Sequence, residues 1–212
     1  MRKITPLLLS CVLLPPGCGP VSPPIEVPVT KVEERDDPAV EELLGLMRKR
    51  LDVMHDVARW KWAAKAPIED PKREAASLDD VAERAKGLGL DPAVARTFFA
   101  AQIEAAKVVQ RADFRRWEAD KHGPEGKAPD LAGVLRPKID GLNRDLLAAL
   151  PGVLSLLRDD DGFRLWITIR AETILAGEGI DDDARSAAIR PLVEAPAPGA
   201  RIRSQSTPAK PK

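Results

Sequence analysis

Apolar residues recur at spacings of three and four residues along most of this chain, which is the period of an amphipathic α-helix. Ala, Leu, Glu, Arg and Lys dominate this body, and no alternating β-branched run indicates a strand. The clearest apolar series is interrupted by one amide and consists of Phe99, Ile103, Ala106, Gln110, Phe114 and Trp117. The pattern predicts an all-α fold, a bundle of about six helices with one long N-terminal helix.

Aspartates and prolines set the expected helix ends. Asp70-Pro71 and Asp91-Pro92 each combine an N-cap carboxylate with a proline at the first helical position. Aspartates at 159–161 and 181–183 are expected to cap two later helices. The predicted helices cover residues 38–65, 71–87 and 92–121, a fourth region from Asp130 interrupted at Arg136-Pro137, and residues 151–158, 161–177 and 181–193.

The two ends of the chain differ from the helical body, which is expected to span 38–195. Residues 1–18 have a basic start and a short apolar stretch, which is typical of a signal peptide for export to the periplasm. They end in Leu-Pro-Pro-Gly-Cys18, which resembles the cleavage site of a bacterial lipoprotein. We expect either a lipid anchor on Cys18 or cleavage of the signal peptide and release of the protein. The Pro-rich residues 19–37 predict an extended tether, and 196–212 predict a disordered basic tail.

Charge and rare residues exclude several classes of function. The 33 basic residues balance 33 acidic ones, so no net basic field favours a nucleic acid partner. Both cysteines, Cys11 and Cys18, lie in the signal region, so the mature domain is expected to have no disulfide. The histidines, His55 and His122, are isolated, and no Gly-rich phosphate loop occurs. Neither a metal nor a cofactor is expected.

Two cations occupy the face that the first helix is expected to bury. Arg50 and Lys61 are eleven residues apart, which is three turns at about 3.6 residues per turn. Met54 and Val57 lie between them on the same stripe. Because burying a charge is costly unless it is paired, these cations predict an anionic partner.

Other polar residues near this stripe have ordinary structural explanations when each is considered alone. Asp70 is an N-cap, Arg73 and Glu74 fit a solvated first turn, and Gln110 fits a register-setting polar residue in a bundle. Together, the side chains from three helices would face one interior, and they predict a pocket for a small polyanion.

Five further residues are assigned structural roles. Lys107 and Glu104 are expected on the outer face of the third helix as solvated charges, and His55 is expected to be a solvated or rim residue. Trp60 and Trp62 are assigned to the core.

The order of the polar residues resembles the all-helical AroQ chorismate mutases. Ten residues separate Arg50 from Lys61, eight separate Lys61 from Asp70, and two separate Asp70 from Arg73-Glu74. Gln110 follows on the third helix. The stretches K-W-A-A-K-A-P-I-E-D-P-K-R-E and F-F-A-A-Q-I-E-A-A-K-V-V-Q resemble the secreted, or gamma, subclass, as does P-D-L-A-G-V-L-R-P-K-I-D-G-L-N. The resemblance covers roughly residues 40–150 and extends more weakly to about 195.

This resemblance implies an isomerase of aromatic amino acid biosynthesis that rearranges chorismate to prephenate, without a cofactor and either as a monomer or as a homodimer. Lys61 and Gln110 would hydrogen-bond the ether oxygen of chorismate, and the arginines would hold its carboxylates. The resemblance assigns catalysis to Lys61, Gln110 and Arg73, and substrate binding to Arg50, Asp70, Glu74 and Arg136.

Two residues depart from the family pattern. Ala106 stands where relatives often carry Ser or Thr, and Ser77 replaces a longer polar residue of some secreted members. The departure at Ala106 supports an alternative, in which an exported, non-catalytic helical lipoprotein keeps the fold and binds an anionic ligand or a protein partner.

Overall fold

The computed structural model describes residues 37–157 and 161–194. These residues form six α-helices and one short π-helical turn, with an isolated bridge between Gly177 and Ile180, which confirms the all-α prediction. The signal peptide, the tail and all but the last residue of the tether lie outside the described residues. The helices are α1 (Pro38–Ala64), α2 (Pro71–Gly87), α3 (Pro92–Asp120), α4 (Arg136–Leu156), α5 (Asp161–Ile174) and α6 (Asp182–Val193), and the π turn is Leu131–Leu135.

Aspartate caps explain why the first three helices begin where the sequence predicts. The side chains of Asp37, Asp70 and Asp91 each accept a hydrogen bond from a backbone N–H two or three residues ahead, and a proline follows each of them. Asp181 caps α6 in the same way, accepting from the Ala184 N–H at 2.8 Å. The last residues of these three predicted helices differ from the observed ones by at most one position.

The region after Asp130 differs from the prediction. The expected interruption at Arg136-Pro137 is a change from the π turn to α4. The prediction of a separate helix at 151–158 is wrong, since α4 continues through Pro151 to Leu156. Proline removes one backbone hydrogen bond from the helix interior, and buried Leu150 and Val153 anchor the helix on both sides of it. Residues 159 and 160 of the first predicted aspartate cap lie outside the described residues.

Helix α3 is the centre of the bundle. It packs against α1 and α2 on one side and against α6 on another, so two of its faces are buried. The predicted apolar series is one of these faces, and the other includes Phe98, Gln102, Val109 and Asp113. None of the helices in the described part of the chain is sufficiently long and apolar to cross a membrane.

Candidate functional site

A cavity of about 140 Å³ lies between α1, α2, α3, the π turn and α4. All seven polar residues that the resemblance assigns to a site line this cavity. They are Arg50 and Lys61 from α1, Asp70, Arg73 and Glu74 from the start of α2, Gln110 from α3 and Arg136 from α4. The structure therefore brings together side chains that are up to 86 residues apart in the sequence.

Arg50 is a buried guanidinium with neutral hydrogen-bond partners. It is 4% exposed, and it donates from Nε to Asn143 Oδ1 at 3.0 Å and from Nη1 to the Gln102 carbonyl at 2.7 Å. Burial lowers the pKa of Arg50 to about 10, so it stays ionised at neutral pH. Because neither acceptor carries a charge, the positive charge of Arg50 remains available to a ligand anion.

Lys61 is held at the cavity by the loop between α1 and α2. Its Nζ donates to the Ile68 carbonyl at 2.5 Å. Burial lowers the pKa of Lys61, and the nearby carboxylates of Asp70 and Glu74 oppose this effect. The ammonium thus faces the cavity with a neutral hydrogen-bond acceptor and no direct carboxylate contact among the described residues.

Gln110 supplies an amide with unused hydrogen-bonding capacity. Its Nε2 donates to the Ala106 carbonyl at 3.1 Å and contacts Met54 Sδ at 3.6 Å. Its Oε1 is buried and has no hydrogen-bond partner in the described structure. A buried amide oxygen without a partner is costly, and a half-turn of the amide exchanges the oxygen with the donor. Gln110 is therefore suited to bind a polar ligand atom.

The two arginines at the rim differ in their contacts. Arg73 Nη2 lies 3.2 Å from Asp140 Oδ1, and both side chains are 48% exposed. Arg136 is half-buried, and its side chain forms no hydrogen bond or ion pair within residues 37–157 and 161–194. Asp70 accepts from the Arg73 N–H at 3.1 Å and so fixes the turn that carries Arg73.

Three polar residues of the cavity were not predicted from the sequence: Lys107, Asp140 and Asn143. The assignment of Lys107 to the solvated outer face of α3 is wrong, because its side chain is 11% exposed and bonds to Glu74 Oε2 at 3.2 Å and Glu104 Oε1 at 2.5 Å. Lys107 lies three residues before Gln110, so the helical spacing could have placed it on the same stripe. Glu104, with 47% of its side chain exposed, is the more solvated partner.

The charges around the cavity leave an excess of positive charge. Five cationic and three acidic residues line it. Ion pairs join Arg73 to Asp140 and Lys107 to Glu74, and Asp70 serves as a helix cap. The net excess of two positive charges matches a ligand with two carboxylates.

Comparisons with known proteins agree on one family. The family model described as chorismate mutase type II matches residues 40–111. The crystal structure of chorismate mutase from Burkholderia thailandensis is 42% identical, with a TM-score of 0.68, and the match covers 74% of this chain and 99% of that one. The secreted chorismate mutase of Mycobacterium tuberculosis is 33% identical over 116 residues, 55% of this chain and 58% of that protein.

A second curated relative, the monofunctional chorismate mutase of Enterobacter agglomerans, is 33% identical over 111 residues, which are 51% of this chain and 59% of the relative. The matched part of the chain therefore spans somewhat less than two thirds of both curated relatives.

Proposed function

The chain belongs to the type II chorismate mutase family, and on this premise we propose that it rearranges chorismate to prephenate in the cavity between Arg50, Lys61 and Gln110. In this reaction the ether C–O bond breaks as a C–C bond forms within the same molecule. No proton leaves and no bond to the protein is made. The protein has to hold a compact conformer and stabilise the negative charge that develops on the ether oxygen.

This proposal rests mainly on the cavity cations that have no carboxylate partner among the described residues. Arg50 and Arg136 offer guanidinium groups, whose planar geometry suits carboxylates, to a substrate that has two of them. Lys61 and the amide of Gln110 would donate to the ether oxygen. Because the oxygen gains charge as its bond breaks, these donors bind the transition state more tightly than the substrate.

The remaining predicted site residues have supporting roles in the proposal. Arg73 would exchange its contact with Asp140 for a substrate carboxylate, since the pair is half exposed and such pairs contribute little stability. Asp70 keeps the first turn of α2 in place by capping it. Glu74 would accept a hydrogen bond from the ring hydroxyl of chorismate.

The direct test follows the loss of the ultraviolet absorbance of chorismate on addition of the purified protein. We expect turnover by the unsubstituted protein and a loss of at least about a hundredfold in kcat/KM for Lys61→Ala, because a preorganised donor is removed from the developing charge. Lys49→Ala is the matched control, since Lys49 is an exposed lysine on the same helix. Circular dichroism should show unchanged helicity in both variants, and a near-normal rate for Lys61→Ala would exclude Lys61 from the site.

A second candidate function is ligand binding without catalysis. It is favoured by Ala106, which lines the cavity but offers no side-chain hydroxyl. In this case calorimetry would detect binding of chorismate to the unsubstituted protein, while the ultraviolet absorbance of chorismate would remain constant.

We also propose that the protein is exported to the periplasm. The similarity to a relative named as secreted and the signal-like residues 1–18 support export. After export, either Cys18 carries a lipid anchor or the chain is cleaved and released. The mass of the mature N-terminus distinguishes the lipidated form from a form that is cleaved and released.

A further inference from the structure

The cavity contains a second ammonium group, Lys107, that the proposed mechanism does not use. It lies on α3 one turn before Gln110. Its side chain is 11% exposed, which makes it the most buried of the ion-paired side chains that line the cavity. Its Nζ bridges two carboxylates, Glu74 at 3.2 Å and Glu104 at 2.5 Å. Glu104 does not line the cavity, whereas Glu74 does.

Glu74 is fixed by two contacts. Its Oε1 accepts from the Asp70 backbone N–H at 3.1 Å, and its Oε2 accepts from Lys107 at 3.2 Å. A carboxylate has about four lone-pair positions, so Glu74 retains the capacity to accept from a ligand hydroxyl. Its negative charge, however, lies on the wall of a cavity proposed to bind a dianion. Without a neighbouring cation it would repel that ligand.

We propose that Lys107 is a positioning residue that holds the Glu74 carboxylate in place and cancels its charge, so that the cavity binds a hydroxylated dicarboxylate. This inference rests on the proposed function. It assigns to Lys107 an effect on the affinity for substrate and not on the chemical step, because Lys107 acts through Glu74. The two carboxylate contacts favour the ammonium form of Lys107: burial alone would lower its pKa, but the bonds to Glu104 and Glu74 raise it.

The test is a double-mutant cycle between Lys107 and Glu74, read out as KM and kcat for chorismate. We expect Lys107→Met to raise KM about tenfold by exposing the ligand to an unbalanced carboxylate, with kcat changed less than about threefold. In the Glu74→Gln background the same substitution should change KM by less than about threefold, since no charge is left to cancel. Lys107→Arg should restore most of the affinity.

Glu104→Gln is the matched control, because it removes the other carboxylate partner of Lys107 at a position outside the cavity. It should change KM by less than about twofold. Lys107→Gln serves as a second neutral variant, and a melting curve of each protein separates affinity from folding.

Several outcomes would overturn the proposal. An equal rise in KM in both backgrounds would mean that Lys107 contacts the substrate directly. A lowered melting temperature with unchanged KM would mean that Lys107 has a purely structural role. Absence of turnover by the unsubstituted protein would instead contradict the proposed function itself, which distinguishes the two failures.

Discussion

At the scale of single residues, the amide of Gln110 determines how the proposed reaction depends on pH. An amide donates a hydrogen bond without having to bind a proton, and Arg50, whose pKa burial lowers to about 10, stays charged at neutral pH. We therefore expect kcat/KM of the unsubstituted protein to be flat from about pH 5 to about pH 8. A steep loss of turnover within this range, with the fold intact, would argue against Gln110 as the donor.

The substitution Gln110→Glu should convert this flat profile into a pH-dependent one. A glutamate donates to the ether oxygen when it is protonated, and burial favours the protonated form. Activity should therefore rise as the pH falls, and at about pH 7.5 it should be at least about tenfold below that of the unsubstituted protein. The measurement is kcat/KM against pH, and a flat profile for the variant would contradict the assignment.

Some of the residues that line the cavity could be predicted from the sequence, and others could not. Arg50 and Lys61 could be placed on one face because both lie on a single helix with regular spacing. Lys107 is predicted to be solvated because it lies at the edge of the apolar stripe, but Glu74 of α2 contacts it there and covers that edge. Asn143 could not be anticipated as the acceptor for Arg50, since their contact depends on how α4 packs against α1.

At the scale of secondary structure, the π turn before α4 determines where Arg136 lies. Asp130 Oδ2 accepts from the Gly133 N–H at 2.5 Å, and its carbonyl accepts from the N–H groups of Val134 and Leu135. Arg136 follows directly as the first residue of α4 and lines the cavity. Asp130 lies outside the cavity, but its hydrogen bonds hold the turn that precedes Arg136.

We expect Asp130→Ala to raise KM for chorismate about tenfold, although Asp130 does not line the cavity, and to lower the free energy of unfolding by about 1 kcal/mol. Asp181→Ala is the matched control, because Asp181 caps α6 through a similar contact to the Ala184 N–H. It should cause a similar loss of stability and leave KM unchanged. Equal KM values for the two variants would show that the π turn does not position Arg136.

The helices themselves were largely predictable where a local signal exists. Asp-Pro pairs mark the starts of α2 and α3 because both the cap and the proline act within one turn. The prediction that a new helix begins at Pro151 was wrong for the opposite reason. Proline is a local signal against a helix, but buried neighbours on either side outweigh the loss of one hydrogen bond.

At the scale of the whole molecule, a polar network outside the cavity joins three parts of the bundle. His55 Nδ1 on α1 lies 2.7 Å from Asp113 Oδ2 on α3, and Asp113 is 1% exposed. Arg116 contacts both Asp113 and Glu178, and Glu178 belongs to the segment between α5 and α6. His55 is predicted to be a solvated or rim residue, and in the structure its ring is 26% exposed and pairs with a buried carboxylate.

The same segment is packed tightly against the ring of His55. At Gly179 the backbone has φ of +70°, and a Cβ there would lie 2.6 Å from His55 Cε1. Glycine is needed at this position both for the backbone conformation and for the close approach. The network consequently depends on the tertiary packing of α1, α3 and the α5–α6 segment together.

This network predicts that the stability of the fold depends on pH. The hydrogen bond to Asp113 raises the pKa of His55 above its ordinary value of 6.5, against the opposing effects of burial and Arg116. Asp113 and Asp52 favour the charged ring. Because the folded state holds the proton more tightly, the stabilisation is complete below pH 6.5 and is lost as the pH rises through the raised folded pKa.

We therefore expect the free energy of unfolding, measured in urea, to fall as the pH rises above 6.5 and through the raised pKa of His55, by on the order of 1 kcal/mol, the net contribution of one hydrogen bond. His55→Asn should remove this dependence and lower stability most at the acidic end. His122→Asn is the matched control, because the exposed His122 bonds to the neighbouring Gly123 carbonyl and to no carboxylate within the described structure. An unchanged pH dependence in His55→Asn would mean that groups other than His55 cause the change in stability with pH. The contribution of His55 would then be the same in both of its protonation states.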